Sequence, residues 1–207
     1  MRSSVFVRSY APVDFDRNEI FRYAGVKQAD SSMTELLEQC LDECRDCFSY
    51  NVCYTELPVE TDGELTQFGG VATRSKALRT ALDGCEGVVV FAATVGIGID
   101  RLIKKYSLTS ASRAVMMQAI GAERIESLCD AFCADMGAEL SKRGLELRPR
   151  FSAGYGDFPL ECQRDIFALL DDGRRIGVCL NESLLMSPTK SVTAVIGVRR
   201  IKNERMD

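Results

Sequence analysis

Residues 110–142 carry the longest uninterrupted pattern in the chain, and it restricts the folds that are possible. Apolar side chains recur there every three or four residues, which is the spacing of one face of an α-helix. They are Val115, Met116, Ala119, Ile120, Ile125, Leu128, Phe132, Met136 and Leu140. The pattern predicts one long helix over residues 110–142. A helix with one apolar stripe has to bury that stripe against another element of the fold.

The best candidate for that element is the segment GVVVFAAT at residues 87–94. Its length and its β-branched residues are typical of a buried strand. Other strands are predicted at 52–59, 147–151, 176–180 and 191–198, and other helices at 16–25, from Ser31 or Ser32 to Cys47, at 75–82, from about Asp100, and at 160–170. Long helices and strands are segregated along the chain. The predicted fold class is therefore α+β, with long helices packed against a mostly antiparallel sheet.

The composition favours one domain and excludes several classes of function. All 207 residues are assigned to a single domain, with an N-terminal helical part at about 14–50. The chain contains no histidine, which removes the commonest general base and the commonest metal ligand. The net charge of −4 gives no reason to expect a nucleic acid or an anionic membrane surface as partner.

The apolar segments and the cysteines predict where such a chain resides. Residues 87–99, the longest apolar candidate, are too few and too rich in glycine to cross a bilayer. No signal peptide is apparent at the N-terminus. Nine cysteines in this context indicate free thiols in a reducing cytoplasm.

Residues 40–47, CLDECRDC, form a C-x3-C-x2-C pattern that is similar to the iron–sulfur motif of radical S-adenosylmethionine enzymes. A helix turns about 100° per residue, so Cys40, Cys44 and Cys47 would share one face of a single helix. Asp46 stands where those enzymes usually carry an aromatic residue, and the strand order lacks eight βα units. The favoured interpretation is three small apolar residues in a core.

Further interpretations concern the cysteines and one glycine-rich stretch. Ligation of a metal or cluster by the three cysteines, with Cys53 as a fourth thiolate, stays open beside redox sensing. Cys129 and Cys133 lie one helical turn apart and are interpreted as core residues. The stretch 96–98, Gly-Ile-Gly, is favoured as a strand-to-helix turn over a phosphate cradle.

The C-terminal half contains the most informative motifs. In chain order they are FAATVG at 91–96, AERIESLCD at 122–130, RFSAGYGDFP at 150–159, IGVCLNESLLMSP at 176–188 and SVT at 191–193. Their order resembles the activation domain of cobalamin-dependent methionine synthase, which carries R-x-x-x-G-Y-P and then T-E-S-x-x-M-x-P-x-x-S-V-S. The resemblance is good over about residues 87–198 and weaker over 16–59.

This resemblance implies a function in the repair of a cofactor. In that family the domain holds S-adenosylmethionine and closes over the corrin of a neighbouring cobalamin domain. One electron from a flavodoxin-type donor and the methyl group of S-adenosylmethionine convert inactive cob(II)alamin to methylcobalamin. The chain has no histidine and no D-x-H-x-x-G motif, so the cobalamin would be carried by a partner, a methionine synthase or a related corrinoid protein. The resemblance thus implies a free-standing reactivation module with no acid–base catalytic residue and no metal ligand of its own.

The resemblance also implies a binding site around the first of the two long motifs. Arg150 matches the motif arginine and could grip the ligand's carboxylate with its planar pair of donors. Ser152 stands at a small-residue position where backbone groups could read adenine. Gly154 and Gly156 permit positive φ and close backbone approach. Tyr155 offers a flat apolar face to the ligand or the corrin.

Two glutamates complete the predicted site, and three departures from the family pattern define a rival hypothesis. Glu126 could balance the ammonium or the sulfonium of the ligand, and Glu182 could brace the pocket. Glycine replaces the motif proline at Gly156, asparagine replaces a threonine at Asn181, and Gly144 stands where a second glutamate is expected. The rival is a non-catalytic adaptor that docks on a corrinoid protein without binding S-adenosylmethionine.

Overall fold

The structure is a computed structural model that describes residues 4–201. In chain order the strands are β1 (Phe6–Tyr10), β2 (Tyr50–Pro58), β3 (Glu60–Asp62), β4 (Leu65–Phe68), β5 (Val71–Thr73), β6 (Gly87–Thr94), β7 (Leu145–Phe151), β8 (Cys179–Leu180), β9 (Met186–Ser187) and β10 (Ser191–Arg200). The helices are α1 (Arg17–Tyr23), α2 (Ser31–Cys44), α3 (Lys76–Ala81), α4 (Gly98–Ser107), α5 (Ala111–Ser141), α6 (Cys162–Leu170) and α7 (Asp172–Arg175). A short 3₁₀ turn at Arg45–Cys47 follows α2.

A five-stranded sheet in the order β1-β2-β6-β10-β7 forms the centre of the fold. Each neighbouring pair in this sheet is antiparallel. The segment predicted as a buried strand, residues 87–94, coincides with β6 and pairs along its whole length with β2 on one side and β10 on the other. The α+β class with a mostly antiparallel sheet is therefore confirmed.

Both faces of this sheet are covered, which explains why β6 is a continuous apolar run. Val89, Phe91 and Ala93 point into a core shared with α5, whereas Val88 and Val90 point into a second core beneath α3 and α6. A strand that is buried on both faces has no polar face to alternate with. A separate three-stranded sheet, β3-β4-β5, adds to the second core and was not predicted.

The long helix lies where the periodicity predicts it. The Ser110 hydroxyl caps α5 by accepting from the Arg113 amide, and Lys142 forms the C-cap. Thirteen residues of the helix are buried, and they include Arg124, Phe132 and Met136. Val115 is the exception among the predicted core positions, because its side chain is exposed.

Two predicted boundaries differ from the structure. Helix α2 is capped by Asp30 rather than by Ser31 or Ser32, since the Asp30 carboxylate accepts from the Met33 amide. The strand predicted at 176–180 shrinks to the two residues of β8, and Gly177 before it has a φ of 74° that a strand cannot contain. Within residues 4–201, none of the helices combines the length and the apolar character needed to cross a bilayer.

The cysteines of the C-x3-C-x2-C pattern are core residues, as favoured. Cys40 and Cys44 are fully buried against α5, and Cys47 is half-buried in the 3₁₀ turn. Cys53 belongs to the core on the opposite face of the sheet, so it cannot join them. Burial raises the pKa of the Cys44 thiol to about 12 and that of Cys47 to about 11, which disfavours the thiolate needed for redox chemistry. No group of three or more potential metal ligands is found among the described residues.

The Gly-Ile-Gly stretch is a packed turn. A Cβ at Gly98 would lie 2.1 Å from the carbonyl oxygen of Cys47, and a Cβ at Gly96 would lie 2.3 Å from the Ser49 Oγ. Both glycines are therefore required by the close approach of the segment that follows α2. This packing accounts for the two glycines without a phosphate.

Candidate functional site

The candidate site is a cavity of about 370 Å³ at the end of the central sheet. Strand β7 ends at Phe151, opposite Val195, while β10 continues four residues further to Ser191. The space beyond the end of β7 is enclosed by α5, by the turn that follows β7, and by α6. The residues that line it are Glu126, Arg150, Phe151, Ser152, Ala153, Tyr155, Gln163, Met186, Ser191, Val192 and Thr193.

Arg150 places a partly satisfied guanidinium in this cavity. It pairs with Ile196 in the β7–β10 ladder, and its side chain extends towards α5. There Nη2 donates to the Glu126 carboxylate and forms a second ion pair with Asp130 Oδ1 at 3.3 Å. Nη1 is buried, and within residues 4–201 it has no hydrogen-bond partner. A buried N–H group that lacks an acceptor is costly, so this atom is suited to an anionic ligand group.

The turn after β7 presents Tyr155 to solvent beside the cavity. Its backbone is closed by hydrogen bonds from Tyr155 to Ser152 (3.2 Å), from Phe158 to Tyr155 (3.0 Å) and from Gly154 to Phe158 (2.8 Å). Gly154 and Gly156 have φ values of 92° and 58°, a region that favours glycine. Tyr155 is 69% exposed, so its ring is not packed into the core.

Asp157 fastens this turn to the rest of the fold. Its carboxylate accepts hydrogen bonds from the Ser75 hydroxyl and from the amides of Lys76 (2.8 Å) and Ala77 (3.0 Å), at the start of α3. The Ser75 hydrogen bond and these two amides lower the pKa of Asp157 to about 2. Asp157 was not predicted as a site residue, although it lies within the motif segment 150–159.

The structure brings together four of the seven predicted site residues as lining of one cavity. Arg150, Ser152, Tyr155 and Glu126 line it directly. Gly154 and Gly156 shape the turn but do not line the cavity, and their contribution is conformational.

Glu182 lies elsewhere. It belongs to the exposed turn between β8 and β9, outside the cavity lining, and its carbonyl oxygen accepts from Arg164 Nη2 at 3.5 Å. The bracing role of the Glu182 side chain stays a prediction. Contact of any of the seven residues with a ligand stays a prediction.

Gln163 of α6 is a lining residue that the sequence reasoning missed. It is 5% exposed, its Nε2 donates to Thr193 Oγ1 at 3.4 Å, and its Oε1 is buried without a partner among the described residues. Gln163 keeps three- and four-residue spacing with the buried Ile166 and Leu170. A glutamine on an otherwise apolar helix face was the signal that could have found it.

The cavity wall formed by Met186 and Ser191 is held in place by hydrogen bonds at and just before the start of β10. The Ser191 hydroxyl donates to the Pro188 carbonyl at 2.8 Å and lies 2.9 Å from Thr94 Oγ1. Thr189 donates from its amide and its hydroxyl to the carboxylate of Asp100 in α4. These contacts fix the segment that carries Met186 over the cavity.

A solved structure with the same fold is the crystal structure of the MetH reactivation domain bound to AdoHcy. The similarity covers 99% of this chain and 81% of that one, with a TM-score of 0.70 and 14% sequence identity. No protein-family model matches the chain, and no curated protein matches it in sequence. The chain therefore has the fold of the MetH reactivation domain, which is the fold that the sequence resemblance implied.

Proposed function

We propose that this chain binds S-adenosylmethionine, or its product S-adenosylhomocysteine (AdoHcy), in the cavity beside Arg150 and reactivates a corrinoid protein carried by another polypeptide. The observation that carries the proposal is the buried Nη1 of Arg150, which has no partner among residues 4–201. A carboxylate placed there would receive a charge-assisted hydrogen bond. The similar MetH domain was solved with AdoHcy bound, which supports a ligand of this type.

The cavity suits the amino-acid end of such a ligand in both charge and size. Arg150 and Glu126 place a cation and an anion side by side, and the ligand's carboxylate and ammonium form the complementary pair. The volume of about 370 Å³ lies within the roughly 300–1,000 Å³ typical of small-molecule pockets. The residues present therefore fit the proposed ligand.

Three exposed apolar side chains around the cavity supply a surface for the corrinoid partner. Tyr155 lines the cavity and is exposed, Leu185 is exposed next to the lining residue Met186, and Leu160 lies against Gly154. Exposed apolar groups gathered at a cavity mouth are typical of an interaction surface. They support docking on a flat, partly apolar face such as a corrin.

In this proposal the chain acts by positioning. The ligand supplies a methyl group on a sulfonium, and the partner supplies the cobalt, which an external donor of flavodoxin type has reduced by one electron. Arg150 and Glu126 fix the amino-acid end, and the turn 152–158 orients the ligand towards the cavity mouth. The nine cysteines favour a cytoplasmic setting.

Calorimetry with AdoHcy and S-adenosylmethionine tests the ligand. The wild-type protein should bind, and Arg150→Ala should weaken binding by about 1.5–3 kcal/mol, the scale of a hydrogen bond to a charged group. Arg143→Ala is the control, because Arg143 is an exposed arginine that pairs with Glu56 and does not line this cavity. Absence of heat with millimolar ligand and folded protein would instead support the adaptor hypothesis.

Anaerobic spectroscopy tests the role in reactivation. A partner protein holding cob(II)alamin is mixed with a reductant, S-adenosylmethionine and this protein, and methylcobalamin should appear. Omission of this protein, or its replacement by the Arg150→Ala variant, should slow that appearance strongly. Equal rates of methylcobalamin formation in all three mixtures would contradict the reactivation role.

A further inference from the structure

A lysine without a charge partner lies at the end of the sheet that carries the candidate site. Strand β10 begins at Ser191 opposite Thr94, the last residue of β6, and the Val95 amide donates to the Lys190 carbonyl oxygen at 3.1 Å. Val192, two residues further along β10, lines the cavity and packs against the core under α5. Lys190 therefore stands beside the cavity but outside its lining.

The methylene groups of Lys190 pack against a glycine of α5. A Cβ added at Gly121 would lie 2.9 Å from the Lys190 Cε and 3.0 Å from its Cγ. Glycine inside a helix costs about 1 kcal/mol relative to alanine, so a glycine in the interior of this helix calls for a packing reason. The close approach of the lysine side chain supplies that reason. The direction of Lys190 is thus fixed by packing, unlike that of a lysine that extends freely into solvent.

The ammonium group at the end of this side chain is unpaired in the described part of the chain. Among residues 4–201 it makes no hydrogen bond and no ion pair. Asp100 attracts it at longer range, but both carboxylate oxygens of Asp100 accept hydrogen bonds from Thr189. Burial lowers the pKa of Lys190, because the fold removes water from a charge that it does not pair. Lys190 Nζ still reaches the surface, so a group from outside can contact it.

We propose that Lys190 is a docking residue that pairs with a carboxylate of the corrinoid-binding polypeptide, at the rim of the surface that covers the corrin. This inference rests on the proposed function. Two exposed apolar residues flank Lys190: Leu185 precedes it in the chain, and Ile97 follows Val95, its hydrogen-bond partner. Interfaces commonly have an apolar centre and a polar rim, and charges at the rim fix the orientation of the partner.

The chemistry favours a carboxylate of the polypeptide over an acceptor on the corrin. The side chains at the rim of the cobalamin corrin end in neutral amides, whereas aspartate and glutamate carry the charge opposite to that of Lys190. A hydrogen bond between two charged groups is roughly twice as strong as one between neutral groups. It also removes the cost of a partly buried ammonium without a counter-ion. Because such a pair is screened by ions, docking through Lys190 should depend on the salt concentration.

Surface plasmon resonance tests this docking role. The probe is a methionine synthase that lacks its own reactivation domain and is loaded with cob(II)alamin. Lys190→Met keeps the packing on Gly121 but removes the charge, and it should weaken docking about three- to tenfold. Lys190→Arg should retain most of the affinity, and Lys190→Glu should weaken docking more than Lys190→Met does, because it places like charges together. The difference between wild type and Lys190→Met should shrink at about 0.5 M salt.

A matched control and a second measurement make the test specific. Lys142→Met is the same change at an exposed lysine at the other end of α5, about 30 Å from Gly121, and it should dock as wild type does. Calorimetry should show that Lys190→Met binds AdoHcy as tightly as wild type, since Lys190 does not line the cavity. A loss of AdoHcy affinity with unchanged docking would place Lys190 in the ligand site and overturn the docking role.

The remaining outcomes separate this inference from the proposed function. If wild-type protein docks and Lys190→Met docks equally well, Lys190 lies outside the interface, and the proposed function stands. If Lys190→Met weakens docking by the same factor at low and high salt, the acceptor is neutral, such as a corrin amide, and the assignment to a carboxylate is wrong. If folded wild-type protein does not dock, this inference and the reactivation role fall together, whether or not AdoHcy binds.

Discussion

Two glutamates of helix α5 pair with arginines, Glu123 with Arg124 of the same helix and Glu126 with Arg150 of β7, and the two pairs differ in how completely the chain satisfies them. Arg124 and Glu123 are 0% and 2% exposed, whereas Arg150 and Glu126 are 27% and 39% exposed. The first pair is closed by the protein, because Arg124 also donates to the carbonyls of Val13 (2.6 Å) and Asp14 (2.9 Å). The second pair keeps a guanidinium nitrogen without a partner among residues 4–201.

The closed pair ties the N-terminal segment to the core. The Arg124 guanidinium lies 4.2 Å from the centre of the Phe15 ring, and Glu123 accepts from the Asp16 amide, where α1 begins. Desolvation, which by itself would lower the pKa of Arg124, is outweighed by its bonds to Glu123, and the pKa is raised. The comparison shows that a buried charge pair indicates a ligand only where the chain leaves one of its atoms unpaired.

Loss of Arg124 should therefore have the largest effect on stability. Arg124→Met leaves the Glu123 carboxylate buried and uncompensated, and removal of one partner of such a pair costs about 3–5 kcal/mol. Arg150→Ala should cost less than about 1 kcal/mol, because water can solvate the half-exposed Glu126. Urea denaturation of both variants measures the two free energies of unfolding. The double variant Glu123→Leu/Arg124→Met should recover much of the loss, since no lone charge remains buried. Similar losses in the free energy of unfolding for Arg124→Met and Arg150→Ala would contradict the distinction between the closed pair and the open pair.

The turn beside the open pair should depend on glycine at position 156. Its φ of 58° is out of reach for proline, which fixes φ near −65°, although proline is what the family motif carries there. Gly156→Pro should destabilise the protein by about 2 kcal/mol or more and weaken AdoHcy binding, because the turn has to rearrange. Gly156→Ala should cost about 1–2 kcal/mol, as its Cβ would also lie 3.0 Å from that of Ala77. Thermal unfolding and calorimetry measure both variants, and a Gly156→Pro protein with wild-type affinity would contradict this reading of the turn.

The sequence was sufficient to predict the bounds of an element where its hydrophobic pattern was long. Strand β6 was predicted at its observed bounds, and the predicted start of the long helix at residue 110 coincides with its N-cap Ser110. The sheet β3-β4-β5 escaped prediction because its strands have three or four residues, and β3 is exposed at each position. Strands this short show no usable alternation.

The residues of the candidate site also divide into those that the sequence could predict and those that it could not. Arg150 and Tyr155 could be found from motifs that are contiguous in the chain. Gln163 belongs to no such motif: its only local signal is a polar residue on an apolar helix face, and its partner Thr193 lies thirty residues further on and meets it only in the folded protein. Which atom of a side chain is left without a partner is a tertiary property, and no local pattern encodes it.

The smallest predicted effect concerns Asp157, which anchors the turn beside the open site, and this effect is lost in acid. The folded-state pKa of Asp157 is lowered to about 2 from an ordinary value of 3.8, so its carboxylate stabilises the fold fully above pH 3.8. That contribution should be lost progressively as the pH falls from about 4 to about 2, where the carboxylate becomes protonated in the folded protein. Asp157→Asn removes it at every pH. The difference in thermal midpoint between wild type and variant should thus be greatest near pH 5 and shrink towards pH 2.

A matched control makes the acid effect specific to the turn. Asp42 is an exposed aspartate of α2 whose ion pair with Arg45 lies on the surface, so Asp42→Asn should leave the pH profile of stability close to that of wild type. Since Asp157 fastens the turn that carries Tyr155, its asparagine variant should also bind AdoHcy less tightly at neutral pH, by a factor of about two to five. A constant offset between the Asp157→Asn and wild-type midpoints from pH 5 to pH 2 would show that the carboxylate does not hold the turn, and the open site would then need another support.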